Sequence, residues 1–224
     1  MKTKSTVWRY AWLMIPALLS PLVAQGQPNR FYMKADLGGN ITHETDLREF
    51  FGNDVTGARV KFDPGYRIGV AAGYELCQWF AVEGEVGAMA NNIKSITGAD
   101  RVDAVFANVP FLVNARLQAP KNWKFSPYIG AGVGGAASII DSDHIVMSDT
   151  DVHGSDADVV FAWQGFAGFR IALNDAMGVG FEYRYLAASR PTWKAEFAFG
   201  TGTDTMGFGR TQTHSFSVVF DWRF

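Results

Sequence analysis

The chain has 224 residues, a formal net charge of −2 and no clustered basic stretch, which excludes a broad electrostatic footprint for nucleic acid. Its one cysteine, Cys77, excludes an internal disulfide and a thiolate-built zinc or iron–sulfur centre, and no cofactor is expected. Residues 1–26 stand apart: Lys2, Lys4 and Arg9 precede an apolar stretch over 11–23, broken by Pro16 and Pro21, and then Ala24-Gln25-Gly26, with small residues at the positions a signal peptidase reads. That order reads as a signal peptide, its apolar part shorter than the ~20 residues of a spanning helix. Cleavage before Gln27 leaves 27–224 as the mature domain, with no cysteine at the cleavage point to carry a lipid anchor. Beyond it no run of about 18 apolar residues occurs, which excludes helical membrane spans.

From Phe31 the sequence has a period of two, with Phe31, Met33, Ala35 and Leu37 alternating with Tyr32, Lys34, Asp36 and Gly38. Similar alternation recurs over 66–76, 80–88, 105–117, 125–137, 159–171, 179–185 and 216–224. The pattern predicts eight strands of about ten residues, the length a tilted strand needs to cross a bilayer within a barrel. Connections alternate between short (77–78, 118–124, 173–176) and long (42–60, 91–101, 141–156, 187–210). Tight periplasmic turns and longer outer loops produce that alternation, with both termini in the periplasm. Pro110 falls mid-strand, where proline removes a ladder donor, and a bulge is expected there.

Period two alone does not distinguish a membrane barrel, apolar outside, from a lipocalin-like barrel, apolar inside. The polar face decides. Of eight lysines only Lys34 falls on it, and it is crowded with small residues such as Gly69, Ala71, Gly73, Gly130, Gly132, Gly134 and Ala162, as a narrow lumen requires. Six cations (Lys34, Arg67, Arg116, Arg170, Arg184, Arg223) meet six anions (Asp36, Glu75, Glu83, Glu85, Glu182, Asp221) there. A charge-neutral, arginine-weighted set suits a filled interior, where ions must be paired. The apolar face carries Phe80, Phe125, Phe169, Phe181, Tyr183, Phe220, Trp222 and Phe224 as an aromatic girdle. The fold class is therefore all-β, an eight-stranded antiparallel up-and-down transmembrane β-barrel.

The stretch Ser126-Pro127-Tyr128-Ile129-Gly130-Ala131-Gly132-Val133-Gly134 and the closing strand 215–224, ending on Phe224, resemble small outer-membrane barrels. These are the relatives of the transmembrane domain of outer membrane protein A and of the opacity-type porins. The resemblance spans essentially 31–224. It implies an outer-membrane address, with outer-membrane lipid and lipopolysaccharide as surroundings, and a closing strand (Phe220, Trp222, Phe224) read by the barrel-assembly machinery. With the chain ending at Phe224, the peptidoglycan-binding domain of larger members is not expected.

No residue set points to an enzyme. His214 and Ser215 are adjacent on a strand and face opposite ways. The aspartates of the third long loop (Asp141, Asp143, Asp149, Asp151, Asp156, Asp158), with His144 and His153, match no calcium-loop spacing and read as a solvated acidic loop rather than a metal site. In the fourth loop Trp193, Phe197, Phe199 and Phe208 form a candidate contact surface for an extracellular ligand or partner, although Trp193, Ala195, Phe197 and Phe199 also keep the period of a hairpin extending above the membrane. The expected role is structural or adhesive, through a filled barrel and four loops. The alternatives are a transporter or narrow porin for small apolar molecules and, third, a lipid A-modifying enzyme.

Overall fold

The structure, a computed structural model, describes residues 30–50, 53–120, 123–147, 150–197 and 203–224; residues 1–26, expected from the sequence to be a signal peptide, lie outside them. In chain order the strands are β1 (Phe31–Thr42), β2 (Thr45–Phe50), β3 (Asn53–Asp54), β4 (Arg59–Phe62), β5 (Gly65–Cys77), β6 (Phe80–Ile96) and β7 (Arg101–Gln118). After them come β8 (Phe125–Met147), β9 (Thr150–Ala172), β10 (Met177–Ala188), β11 (Thr192–Phe197), β12 (Thr203–Phe208) and β13 (Thr211–Arg223). All pairings are antiparallel. The ring β1–β5–β6–β7–β8–β9–β10–β13 closes on itself where β13 pairs with β1. Closure leaves this ring without an edge, and the alternation then assigns one face to the lumen and the other to the surroundings.

The short strands continue the long ones. The register that sets Asn40 opposite Gly65 carries through to Thr45 opposite Val60. Likewise the register of Ala188 opposite Thr211 carries through to Thr192 opposite Gly207. β1 with β2, β4 with β5, β10 with β11 and β12 with β13 are thus four bent staves. With β6, β7, β8 and β9 they build a second closed ring above the first, through the pairings β6–β4–β2–β12–β11–β9. Much of what the sequence assigns to long loops is ladder.

Each bend shifts the inward-facing parity by one residue. Thr42 faces in below the first bend and Thr45 and Leu47 above it; Arg67 faces in below the second and Val60 above it. The same change separates Ala188 from Trp193 and Thr211 from Phe208. Polarity inverts at this level too. Below it the outward residues are apolar, as with Leu37, Ile68, Val113, Ile129 and Phe181, and the inward ones polar. Above it Arg48, Lys61, Lys94 and Lys194 face out, while Leu47, Val60, Ile93, Phe106, Ile140, Trp193, Met206 and Phe208 form a buried core. An apolar belt below a polar-walled, apolar-filled tier marks where a bilayer ends and water begins.

At Pro110 the expected bulge does not form. The β7–β8 register runs through Pro110 opposite Ala136 without a shift. On the β6 side the pairs stop at Val86–Phe111 and resume in the same register at Met89–Asn108. The proline has no N–H to give, so the ladder lapses locally instead of gaining a residue.

Candidate functional site

The lumen is where the sequence concentrates its charge. Alternation brings Lys34 and Asp36 from β1, Arg67 and Glu75 from β5, and Glu83 and Glu85 from β6 to the inner face. Arg116 (β7), Arg170 (β9), Glu182 and Arg184 (β10), and Asp221 and Arg223 (β13) join them. Arg67 and Glu83 are fully enclosed, at 0% exposure.

The twelve sort into two groups, each neutral. In the larger, Lys34 bonds Glu83 at 2.9 Å and approaches Glu182 at 3.6 Å, and Arg116 meets Glu83 at 3.0 Å. Arg67 bridges Asp36 and Glu85, both at 2.7 Å, and Arg184 bridges Glu85 and Glu182. In the smaller, nearer the periplasmic end, Asp221 accepts from Arg170 at 2.8 Å and from Arg223 at 3.1 Å, and Arg223 also holds Glu75 at 2.7 Å. Local neutrality matters because an unpaired ion in a confined, low-dielectric space is strongly unfavourable.

Several uncharged lumen residues, absent from the sequence-derived set, complete the network. The Tyr32 hydroxyl donates to Glu83 (2.6 Å) and that of Tyr128 to Glu182 (3.0 Å). Asn114 and Gln164 donate to Glu85 at 2.7 and 2.8 Å, and Gln118 donates to Glu75 at 3.0 Å. The Arg116 guanidinium lies over the Tyr128 ring, 4.0 Å from its centroid, a cation–π contact that also fills space. Glycines make the room: a Cβ on Gly73 would strike the Tyr32 ring, and one on Gly178 would strike Arg170. The signal that could have found Tyr32, Asn114, Gln118, Tyr128 and Gln164 was the same parity that located the charges.

Above this plug lie Met89, Leu112, Ala136, Val160 and Leu186. A band of amides and hydroxyls follows, with Thr42 bonded to Asn91 and to Thr213 at 3.0 Å each and Ser138 to Asn108 at 2.6 Å. The apolar core of the upper tier closes the interior. Beside Lys34, Arg116 and Asp221 lies a void of ≈ 10 Å³, room for about one water.

Of the fourth-loop aromatics, Trp193 and Phe208 are not part of an open surface. Trp193 and Phe208 are each 1% exposed; the Trp193 indole N–H donates to the Ser138 carbonyl (2.8 Å) and the two rings meet edge-on at 4.8 Å. They face inward because the bends reverse the inside parity. Phe197 lies in β11 and Phe199 outside the described residues. In the third loop Asp156 and Asp158 accept the backbone N–H groups of Lys194 (2.7 Å) and Thr192 (2.9 Å), serving β11 where ladder partners on β9 are missing. Phe220 on β13 and Phe224, the residue after that strand, are exposed, and the Phe220 and Trp222 rings stack at 6.2 Å.

A closed antiparallel ring with an apolar belt outside and paired charges inside defines an outer-membrane β-barrel protein of bacteria. The sequence matches the family described as outer membrane protein beta-barrel domain over residues 11–224, and the chain belongs to that family. Neisserial surface protein A is similar in fold, at 13% identity and a TM-score of 0.53 over 87% of this chain and 97% of that one. So are the outer membrane protein OprG from Pseudomonas aeruginosa (14% identity, TM-score 0.56, 88% and 98% covered) and the outer membrane protease OmpT from Escherichia coli (8%, 0.54, 88% and 98%). No curated protein sequence matches.

Proposed function

We propose that this protein is a solute-tight structural barrel of the outer membrane whose folded upper tier is its working surface for contacts outside the cell. The observation that carries this reading is the lumen: two neutral ion clusters, then apolar, polar and apolar layers, fill it. Eight strands enclose little more than their own side chains, and an ion passing through would have to part pairs bonded at 2.7–3.0 Å. The polar-walled tier above presents charged residues on fixed strands. Phe220, Trp222 and Phe224 on the closing strand serve the assembly machinery. No enzymatic step belongs to this reading: Ser215 is buried in the lumen, whereas His214 faces outward and is held by the Tyr183 hydroxyl at 2.6 Å. Purified protein in a planar lipid bilayer is expected to give no stable single-channel current; a large, steady, ion-selective conductance from the monomer would overturn the reading.

A second reading rests on the ladder lapse at Pro110, which interrupts the β6–β7 pairing opposite Gly87 and Ala88, where the proline has no N–H to give, at the height of Met89 and Leu112. Unpaired backbone facing lipid is unfavourable, and a wall weakened there could pass small apolar molecules sideways. Pro110→Ala restores the missing donor. For a sealed wall, uptake of an apolar fluorophore into proteoliposomes should be equal for wild type and variant; a drop of severalfold in the variant would favour lateral passage.

A further inference from the structure

We propose that the corner where β10–β11 meets β12–β13 is a binding site for the phosphorylated headgroup of an outer-leaflet glycolipid, with Arg190 and Arg210 as its phosphate ligands. The site is independent of how the lumen is read. On the outer face of β10 and β13, Tyr183 lies opposite Phe216 and Tyr185 opposite His214. Tyr185 and His214 meet edge-on at 5.2 Å, and Phe216 and Ile41 are exposed beside them. Such amphipathic rings sit at the boundary between acyl chains and headgroups. Arg210 is four residues beyond His214 along the strand, roughly 13 Å at ~3.3 Å per residue, or about 9 Å of height at the tilt of a barrel strand. That is the depth of headgroup phosphates.

Both arginines are exposed, and among the described residues neither has a carboxylate within ion-pair distance. Among acids on the neighbouring strands, Glu44 is shared by Arg59 and Lys61, each at 3.6 Å, and Asp158 accepts the Thr192 N–H. Two cations at phosphate depth are left over. The backbone that carries them is fixed: the Thr45 hydroxyl donates to the Arg210 carbonyl (3.1 Å), Gly209 N–H to Asp46 O (2.7 Å) and Phe208 N–H to Pro191 O (3.1 Å). Guanidinium forks suit phosphate oxygens, and the aromatic wall below offers the acyl chains a surface.

The test is titration of the detergent-solubilised full chain with bisphosphoryl lipid A, followed by native mass spectrometry. Its fully dephosphorylated form, inorganic phosphate and a charge-matched surface variant, R59Q/K61Q, serve as comparisons. One lipid is expected to bind per barrel, with about 30-fold weaker binding in R190Q/R210Q, from two cations near an anionic headgroup. The dephosphorylated lipid should bind as weakly as that variant, and R59Q/K61Q should differ from wild type by less than about threefold. Equal binding by R190Q/R210Q, an equal loss in R59Q/K61Q, or inorganic phosphate binding as tightly as the lipid would each overturn the proposal. Heat-dependent gel mobility verifies folding. Should the double variant not fold, the single variants R190Q and R210Q are each expected to lose about fivefold, and no loss in either would refute the site.

Discussion

Glu85→Ala should destabilise the folded barrel by about 3–5 kcal/mol, the usual effect of removing one partner from a buried ion pair. Glu85 is the meeting point of the larger cluster: Arg67 and Arg184 bind it, and Asn114 and Gln164 donate to it. Its loss leaves Arg67 with Asp36 alone and Arg184 with Glu182, so the cluster, neutral before, acquires a net positive charge without water to solvate it. The cost comes from that uncompensated charge rather than from lost volume. Glu85→Ala combined with Arg184→Ala should therefore cost less than the two single variants summed, because the pair is removed together. Glu44→Ala provides the contrast. Its carboxylate touches Arg59 and Lys61 at 3.6 Å in the open, and a change within about 0.5 kcal/mol is expected. Urea unfolding in lipid vesicles, followed by tryptophan fluorescence and gel mobility, measures all four. If Glu85→Ala and Glu44→Ala shift the midpoint equally, the lumen network is not a determinant of stability.

The barrel and the charged face of its lumen were legible in the sequence because, within a strand, parity alone fixes which way a side chain points. Lys34 and Asp36, Glu83 and Glu85, and Glu182 and Arg184 come in i, i+2 steps, and those steps hold over the whole membrane-spanning part. The upper tier was not legible, for two physical reasons. At 43–44, 63–64, 189–191 and 209–210 the strands bend and the inward parity shifts by one, so a count carried through the bend puts Leu47 or Trp193 on the wrong face. Beyond the bends the solvent outside changes from lipid to water, so the hydrophobic pattern reverses meaning: an apolar residue that would face outward in the bilayer faces inward above it. Trp193 and Phe208 read as an exposed loop surface only if both changes are overlooked. The partners of Glu85 are less legible for a different reason: Asn114 and Gln164 carry no charge, so parity alone marks them as lumen residues.

The upper tier leads to the second large effect. Trp193→Ala should remove about 3–5 kcal/mol of local stability, as deleting a buried aromatic from a packed core does. The indole fills space against Phe208 and, at 6.1 Å, Phe106, while its N–H satisfies the Ser138 carbonyl. A cavity there loosens the contact between β11–β12 and the outer ends of β7 and β8. It touches none of the ion pairs below the bends. The two tiers should therefore separate in experiment. Protease added to proteoliposomes should cut the variant in the outer tier many times faster than wild type, while the membrane-embedded part keeps its heat-dependent gel shift. Trp193→Phe refines the point: most of the packing remains but the Ser138 carbonyl loses its donor, so a smaller loss, about 1–3 kcal/mol, is expected. Were Trp193 a contact residue on an open loop, Trp193→Ala would leave protease resistance unchanged. A closed second ring around an apolar core has no such freedom.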